Sequence, residues 1–401
     1  MKNFIKKNLT ETFFMFLVAI FFVSEVTVFA APSHDPTKMI QDEQGRYWIF
    51  TTGTPLWCMY STDPSFNTFT TGTSPTTSQP AWVASQVPDF EGSYWAPSIT
   101  HMNGYYYLYY SCSTFGSSRS GIGVTRTASL ATPNWQDQGM VVSSNGGRDE
   151  INAIDPAILK DDDGRVWMTY GSWFGGIAVV EIDPNTGLAI SSTYHTGIGG
   201  GHADNEAPFL LKNGCYYFLF YNKGNCCQGT SSTYTIWVAR SNTPNGTYTD
   251  SRQILGNENN RIGPGHFGYN EDLDKVTYHY YDSNDGGAAK LHVTTLGWEN
   301  GWPVIHGSGD DGTNHCENED SDSNNDDEND NNGSDDNNES NDDGTDSDDN
   351  DGDDNNEESD NDGNQSDNNG GAGCDNGETW STGDGNGSAG CGISGIRTLT
   401  R

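Results

Sequence analysis

Apolar residues in this chain come in short, aromatic-rich bursts separated by polar turns, and no stretch sustains a helical period. Tyr105-Tyr-Tyr-Leu-Tyr-Tyr110 follows Asn103-Gly104, and Tyr216-Tyr-Phe-Leu-Phe-Tyr221 follows Asn213-Gly214. Asn-Gly supplies the positive φ angles of a tight hairpin turn, and aromatic side chains suit a pleated surface, so both runs predict strands within hairpins.

The bursts recur. His34-Asp35-Pro36, Trp95-Ala96-Pro97, Ile154-Asp155-Pro156 and Glu206-Ala207-Pro208 place prolines 61, 59 and 52 residues apart, and His266-Phe267-Gly268 stands 60 residues beyond Glu206 without the proline. After each comes an apolar stretch, a turn and an aromatic strand. A third element follows in every unit: Trp57-Cys-Met-Tyr60, Gly121-Ile-Gly-Val124, Gly176-Ile-Ala-Val179, Tyr234-Thr-Ile-Trp-Val238 and Lys290-Leu-His-Val293. A weaker fourth includes Gly139-Met-Val-Val142 and Trp302-Pro-Val-Ile305. Five units of about four antiparallel strands predict an all-β, five-bladed β-propeller over residues 31–308. A β-sandwich with coincidental spacing is the competing architecture. In a propeller the first strand of each blade lines the central channel, and proline suits its start, having a fixed φ and no donor where the ladder has not begun.

Composition divides the remainder. Lys2, Lys6 and Lys7, the apolar run Phe13 to Val23 and Val28-Phe-Ala30 form a secretory leader over residues 1–30. The run is shorter than the roughly 20 residues that span a bilayer, so the expectation is a secreted, extracellular protein with no membrane association once the leader is removed. The net charge of −37 is uneven: residues 310–401 hold 29 of the 56 acidic residues and two of the 19 basic ones. The body before them carries 27 acids against 17 bases and has no basic stripe, which argues against nucleic acid and favours a neutral ligand. Residues 309–372, almost wholly Asp, Asn, Glu, Ser and Gly, predict a disordered acidic tail, followed by a short Cys-containing segment over 373–401. No complete Asp-x-Asp-x-Asp-Gly loop with a distal Glu stands in the tail.

A propeller brings the residues heading the five units to one centre: His34 and Asp35, Trp95, Asp155, Glu206 and His266. Three converging carboxylates repel, so at least one takes a raised pKa, which separates a general acid from a general base. Glycosidic bond cleavage needs such a pair. Trp95, Phe115, Trp173 and Phe174 offer flat apolar faces for sugar rings. A single Asp-Pro is an ordinary strand-start turn; the repeat is what singles these residues out. A metal site built from the same carboxylates is the alternative.

Ser33-His-Asp-Pro36, Tyr94-Trp-Ala-Pro97, Ser113-Thr-Phe-Gly-Ser117, Asn152-Ala-Ile-Asp-Pro156, Gly171-Ser-Trp-Phe-Gly175, Glu206-Ala-Pro208, Cys226-Cys-Gln-Gly-Thr-Ser-Ser-Thr-Tyr234 and Gly263-Pro-Gly-His266 resemble, in order, segments of the endo-1,5-α-L-arabinanases of glycoside hydrolase family 43. The resemblance implies an inverting endo-hydrolase acting on arabinan and arabino-oligosaccharides, with Asp35 as general base, Glu206 as general acid and Asp155 as the carboxylate that raises and orients the acid. It implies sugar contacts at Asp35, Trp95, Phe115, Gly116, Asn152, Ala153, Ile154, Asp155, Ser172, Trp173 and Phe174. It also implies a structural calcium ion near His266, approached largely through water. An exo-acting arabinofuranosidase or β-xylosidase of the same fold, or a non-catalytic sugar-binding propeller, remains open. Departures from the family pattern at Ala207, Ser98 and Ser118-Arg119 put subsite preference in doubt and leave the three carboxylates untouched. Of the eight cysteines, five stand in the body and three in the tail; Cys226 and Cys227 are adjacent and stand either as a vicinal disulfide or as two thiols, and Cys58, Cys112 and Cys215 cannot be paired from sequence. A monomer is expected.

Overall fold

The computed structural model describes residues 31–305. The expected leader, acidic tail and Cys-containing segment lie outside the described residues. Blade I holds β1 (Ile40–Gln41), β2 (Tyr47–Thr51), β3 (Trp57–Ser61) and β4 (Thr70–Thr71). Blade II holds β5 (Tyr94–Met102), β6 (Tyr105–Cys112), β7 (Arg119–Thr127) and β8 (Gln136–Asn145). In blade III stand β9 (Ala157–Lys160), β10 (Val166–Ser172), β11 (Gly176–Ile182) and β12 (Tyr194–His195). Blade IV is made of β13 (Asn205–Asn213), β14 (Tyr216–Lys223), β15 (Thr235–Ser241) and β16 (Thr249–Leu255). Blade V is made of β17 (Arg261–Asn270), β18 (Lys275–Asp282) and β19 (Ala288–Thr294). Each blade is an antiparallel meander in chain order, the five-bladed propeller expected from the repeat.

The aromatic runs lack polar alternation because both faces of the second strand are buried. On β6, Tyr106, Leu108 and Tyr110 meet Trp48 and Phe50 of blade I, while Tyr107 and Tyr109 meet Met168 and Tyr170 of blade III. On β14, Tyr217, Leu219 and Tyr221 join Trp167 and Val179 of blade III, while Phe218 and Phe220 join Phe267 and Tyr278 of blade V. Met39, Ile49 and Met59 of blade I pack with Leu291 of blade V. Every interface between consecutive blades thus has its own apolar cluster, and the ring is closed.

The fifth blade departs from the expected plan. Trp302–Ile305 (β21) was expected as its fourth strand, but it pairs with β20 (Leu296–Glu299) in a separate hairpin, packed on the blade IV–V cluster through Leu296, Trp302 and Ile305. The outer edge of β19 is taken instead by residues 31–33: Pro32 bridges Lys290, Ser33 N donates to Ala289 O, and Leu291 N donates to Ala31 O. With that edge paired, β21 has no ladder to join. The same pairing ties blade I to blade V next to the segment that carries Asp35.

Candidate active site

Every blade has one residue in the left-handed backbone region within its inner strand or just ahead of it: Asp35 (φ 51°), Ala96 (44°), Asp155 (59°), Ala207 (53°) and His266 (58°). For a non-glycine residue this conformation costs about 1–2 kcal/mol. The ladder is bulged at the same place, between Trp95 and Ser98, between Glu206 and Phe209, and between Ile262 and Gly268. Such bulges re-aim side chains at a sheet's rim.

This geometry refines the repeat. Aligned on proline, Glu206 heads the fourth unit, but the left-handed residue there is Ala207. Glu206 holds the preceding position, the one occupied by His34, Trp95, Ile154 and Gly265 in the other blades. Two of the carboxylates come from the left-handed position and the third from its neighbour. All three line one cavity of about 340 Å³ together with His34, Trp95, Phe115 and Trp173.

Asp35 is the most tightly held. Its Oδ2 accepts from Thr52 Oγ1 at 2.7 Å and pairs with His34 Nδ1 at 2.8 Å, and its peptide N–H donates to His279 Nδ1 at 3.1 Å. His34 Nε2 in turn pairs with Tyr281 Oη at 2.9 Å. Burial pushes the Asp35 carboxyl up, but the His34 imidazole and its hydrogen bond, with His266 and His279 beyond, outweigh it and hold the group well below the ordinary range. Oδ1 is left facing His279 and His266, at 3.5 and 3.8 Å from their Nδ1 atoms.

Glu206 has the opposite environment. Burial and the Asp35 charge push its carboxyl up to about 7, against the hydrogen bonds from Tyr234 and Trp173 and the charge of His34. Tyr234 Oη donates to Glu206 Oε1. Asp155 is also raised, by burial and by the charges of Glu206 and Asp35, while its Oδ2 accepts the Ala207 N–H at 3.0 Å. One cavity therefore holds a carboxylate kept ionised and a carboxylic acid kept protonated near neutral pH, the two states needed to activate a water and protonate a leaving oxygen.

The walls are aromatic. Phe115 is 80% exposed on the turn it shares with Gly116, and Trp95, Trp173 and Phe174 line the same space, Phe174 with its ring edge-on to His202. Asn152, Ile154, Ser172 and His266 also line the cavity. Asn152 Oδ1 accepts from Ser120 Oγ at 2.6 Å and its Nδ2 donates to Ser172 Oγ at 3.2 Å, so this amide braces the wall.

Ala153, expected as a sugar contact, is fully buried in the cluster between blades II and III. Its N–H donates to Ser144 Oγ and its methyl group turns into the core. Sequence reasoning did not single out Thr52, His202 or Tyr234 as site residues; Tyr234 closes the Cys226–Tyr234 segment, and its neighbourhood with Glu206 arises only from the blade. Cys226 and Cys227 form a disulfide at the cavity edge. Cys58 and Cys112 are buried free thiols.

Residues 27–303 match the family model for glycosyl hydrolases family 43. Over 306 residues the chain is 36% identical to the extracellular exo-α-(1→5)-L-arabinofuranosidase of Cellvibrio japonicus, covering 68% of this chain and 86% of that one. Over 289 residues it is 35% identical to the extracellular endo-α-(1→5)-L-arabinanase 1 of Bacillus subtilis, covering 67% and 86%. The structure of the Cellvibrio cellulosa α-L-arabinanase complexed with arabinohexaose superimposes with a TM-score of 0.63 at 32% identity, covering 69% of this chain and 96% of that one.

Proposed function

The chain belongs to glycosyl hydrolase family 43, and from that premise we propose that it is a secreted, inverting endo-hydrolase of α-1,5-linked L-arabinan. The observation that carries this reading is the pair of opposed carboxyl states in one aromatic-walled cavity. Glu206, protonated near neutral pH, gives its proton to the glycosidic oxygen that leaves. Asp35, ionised, takes a proton from the water that attacks the opposite face of the sugar, so the configuration at the anomeric carbon inverts. Asp155 stays behind the acid and holds its strand by accepting the Ala207 N–H. Relatives named as arabinanases and the arabinohexaose complex of a structural neighbour support arabinan as the substrate. The leader-like residues 1–30 and relatives named extracellular support export.

Linear arabinan is the test. Mixed arabino-oligosaccharides are expected in the first minutes, with the inverted anomer formed first by NMR. The exo-named relative supports a second reading, in which arabinose is the sole early product. Release from xylan alone would assign a xylosidase, and no cleavage of either polymer a sugar-binding propeller.

For calcium, the donors near His266 are its imidazole and Asp35 Oδ1, so water would complete the six to eight oxygens that the ion takes. The compact group His34, Asp35 and His279 is a poorer host, because the two Asp35 hydrogen bonds and the Tyr281 contact already use both His34 nitrogens and His279 Nδ1, leaving only the buried His279 Nε2 without a hydrogen bond. A hydrated calcium ion beside His266 would supply positive charge beneath the base. Chelation is then expected to lower the melting temperature, and an unchanged melting curve would remove the ion from the proposal.

A further inference from the structure

Four of the five left-handed residues have their peptide N–H held by a side chain at one equivalent position, on the second strand of the preceding blade or directly after it. Ala96 N donates to Thr52 Oγ1 (2.9 Å), Asp155 N to Ser111 Oγ (3.0 Å), His266 N to Asn222 Oδ1 (2.9 Å) and Asp35 N to His279 Nδ1 (3.1 Å). Equivalence is fixed by register: Ser111 stands opposite Trp95, Asn222 opposite Glu206 and His279 opposite Gly265, while Thr52 N donates to His34 O. The result is a belt of hydrogen bonds from blade to blade around the channel, holding the positions whose left-handed backbone is otherwise unfavourable.

Blade III has the gap. Its belt position is Gly171, whose N–H donates to Ile154 O. A Cβ there would stand 2.2 Å from Gly176 O, so no side chain fits. The Ala207 N–H is taken instead by Asp155 Oδ2. Two belt bonds therefore involve the catalytic carboxylates directly. One is Asp155 to Ala207; the other runs through Thr52, whose single hydroxyl accepts from Ala96 N and donates to Asp35 Oδ2.

We propose that Thr52 is a positioning residue for the general base, its hydroxyl tying Oδ2 of Asp35 to the backbone of blade II so that the carboxylate keeps one orientation in the cavity. With Oδ2 held by Thr52 and His34 together, rotation of the carboxylate is blocked on both sides. This rests on Asp35 being the base, as proposed above. Thr52→Val keeps the shape and removes the hydroxyl; Thr52→Ser keeps the hydroxyl.

The experiment compares both variants with the parent chain on linear arabinan and follows amide exchange at Ala96. Thr52→Val is expected to lose about tenfold or more in kcat with KM within about twofold, the signature of an interaction realised in the transition state. Thr52→Ser is expected to restore kcat to within about threefold, and Ala96 exchange to quicken in the Val variant alone. If Thr52→Val does not fold, Thr52→Ala must show the same split. An unchanged kcat, a loss carried by KM, or a loss that serine fails to restore would overturn the proposal. Ala96 exchange needs no substrate, so it reads the belt even if the parent proves inactive on arabinan, an outcome that would instead sink the proposed function.

Discussion

Glu206→Gln is expected to produce an enzyme that is inactive and, above neutral pH, more stable than its parent. The carboxyl has an ordinary value of 4.5 and is pushed up to about 7 in the fold, chiefly by burial. Below the lower value both folded and unfolded chains keep the proton, and the group adds no pH dependence. Between the two values the unfolded chain ionises while the folded one does not, so stability falls as pH rises; above the higher value the whole cost is present. At about 1.4 kcal/mol per tenfold in proton affinity, that cost is about 3 kcal/mol. Glutamine has nearly the same shape, carries no charge and retains a carbonyl to accept from Tyr234 Oη. For a domain of this size 1 kcal/mol moves the melting temperature by about 2 °C, so the variant should melt about 6 °C above the parent near pH 8.5 and within about 1 °C of it near pH 4.5. Thermal unfolding of both proteins by circular dichroism across that range is the assay. A melting difference that stays flat with pH, or a variant less stable than its parent at the alkaline end, would refute the assignment of a proton-loving Glu206. In parallel, loss of the proposed general acid should lower kcat by roughly 10²–10⁴.

Other perturbations probe different parts of the site. Tyr234→Phe removes the hydrogen bond that lowers the Glu206 carboxyl, so the alkaline fall in kcat/KM, centred near 7 in the parent, should move to higher pH; a profile that keeps its position would disconnect Tyr234 from the acid. Phe115→Ala deletes an 80% exposed aromatic face at the cavity wall and should raise KM for arabino-oligosaccharides several-fold while leaving the melting temperature within about 1 °C, since little apolar area is lost from the core. Phe220 stacks on Phe267 with ring centroids 4.0 Å apart between blades IV and V, and Phe220→Ala should cost about 3–5 kcal/mol in denaturant unfolding; a loss under about 1 kcal/mol would mean the blades are not held there.

Much of this protein was legible from one dimension because it is written in local patterns. The spacing of Pro36, Pro97, Pro156 and Pro208 and the aromatic runs of β6 and β14 specify repeated meanders, and a meander needs only neighbouring residues to form. The same repeat pointed to Asp35, Asp155, Glu206 and His266 as cavity residues, since equivalent positions in a ring face one centre. Long-range closure decided the rest. Trp302–Ile305 has the look of a fourth strand, but which edge it finds depends on residues 31–33 having occupied β19. Ala153 sits between two cavity residues in sequence, and only the bend at that point turns its methyl group into the core. The chemical difference between Asp35 and Glu206 is likewise absent from the letters: both are carboxyls at the start of an inner strand, one place out of phase. Their protonation states are set by their neighbours: His34 and Thr52 of blade I with His266 and His279 of blade V around one, and burial, Tyr234 of its own blade, Asp35 and Trp173 around the other; the groups from other blades arrive only when the ring closes.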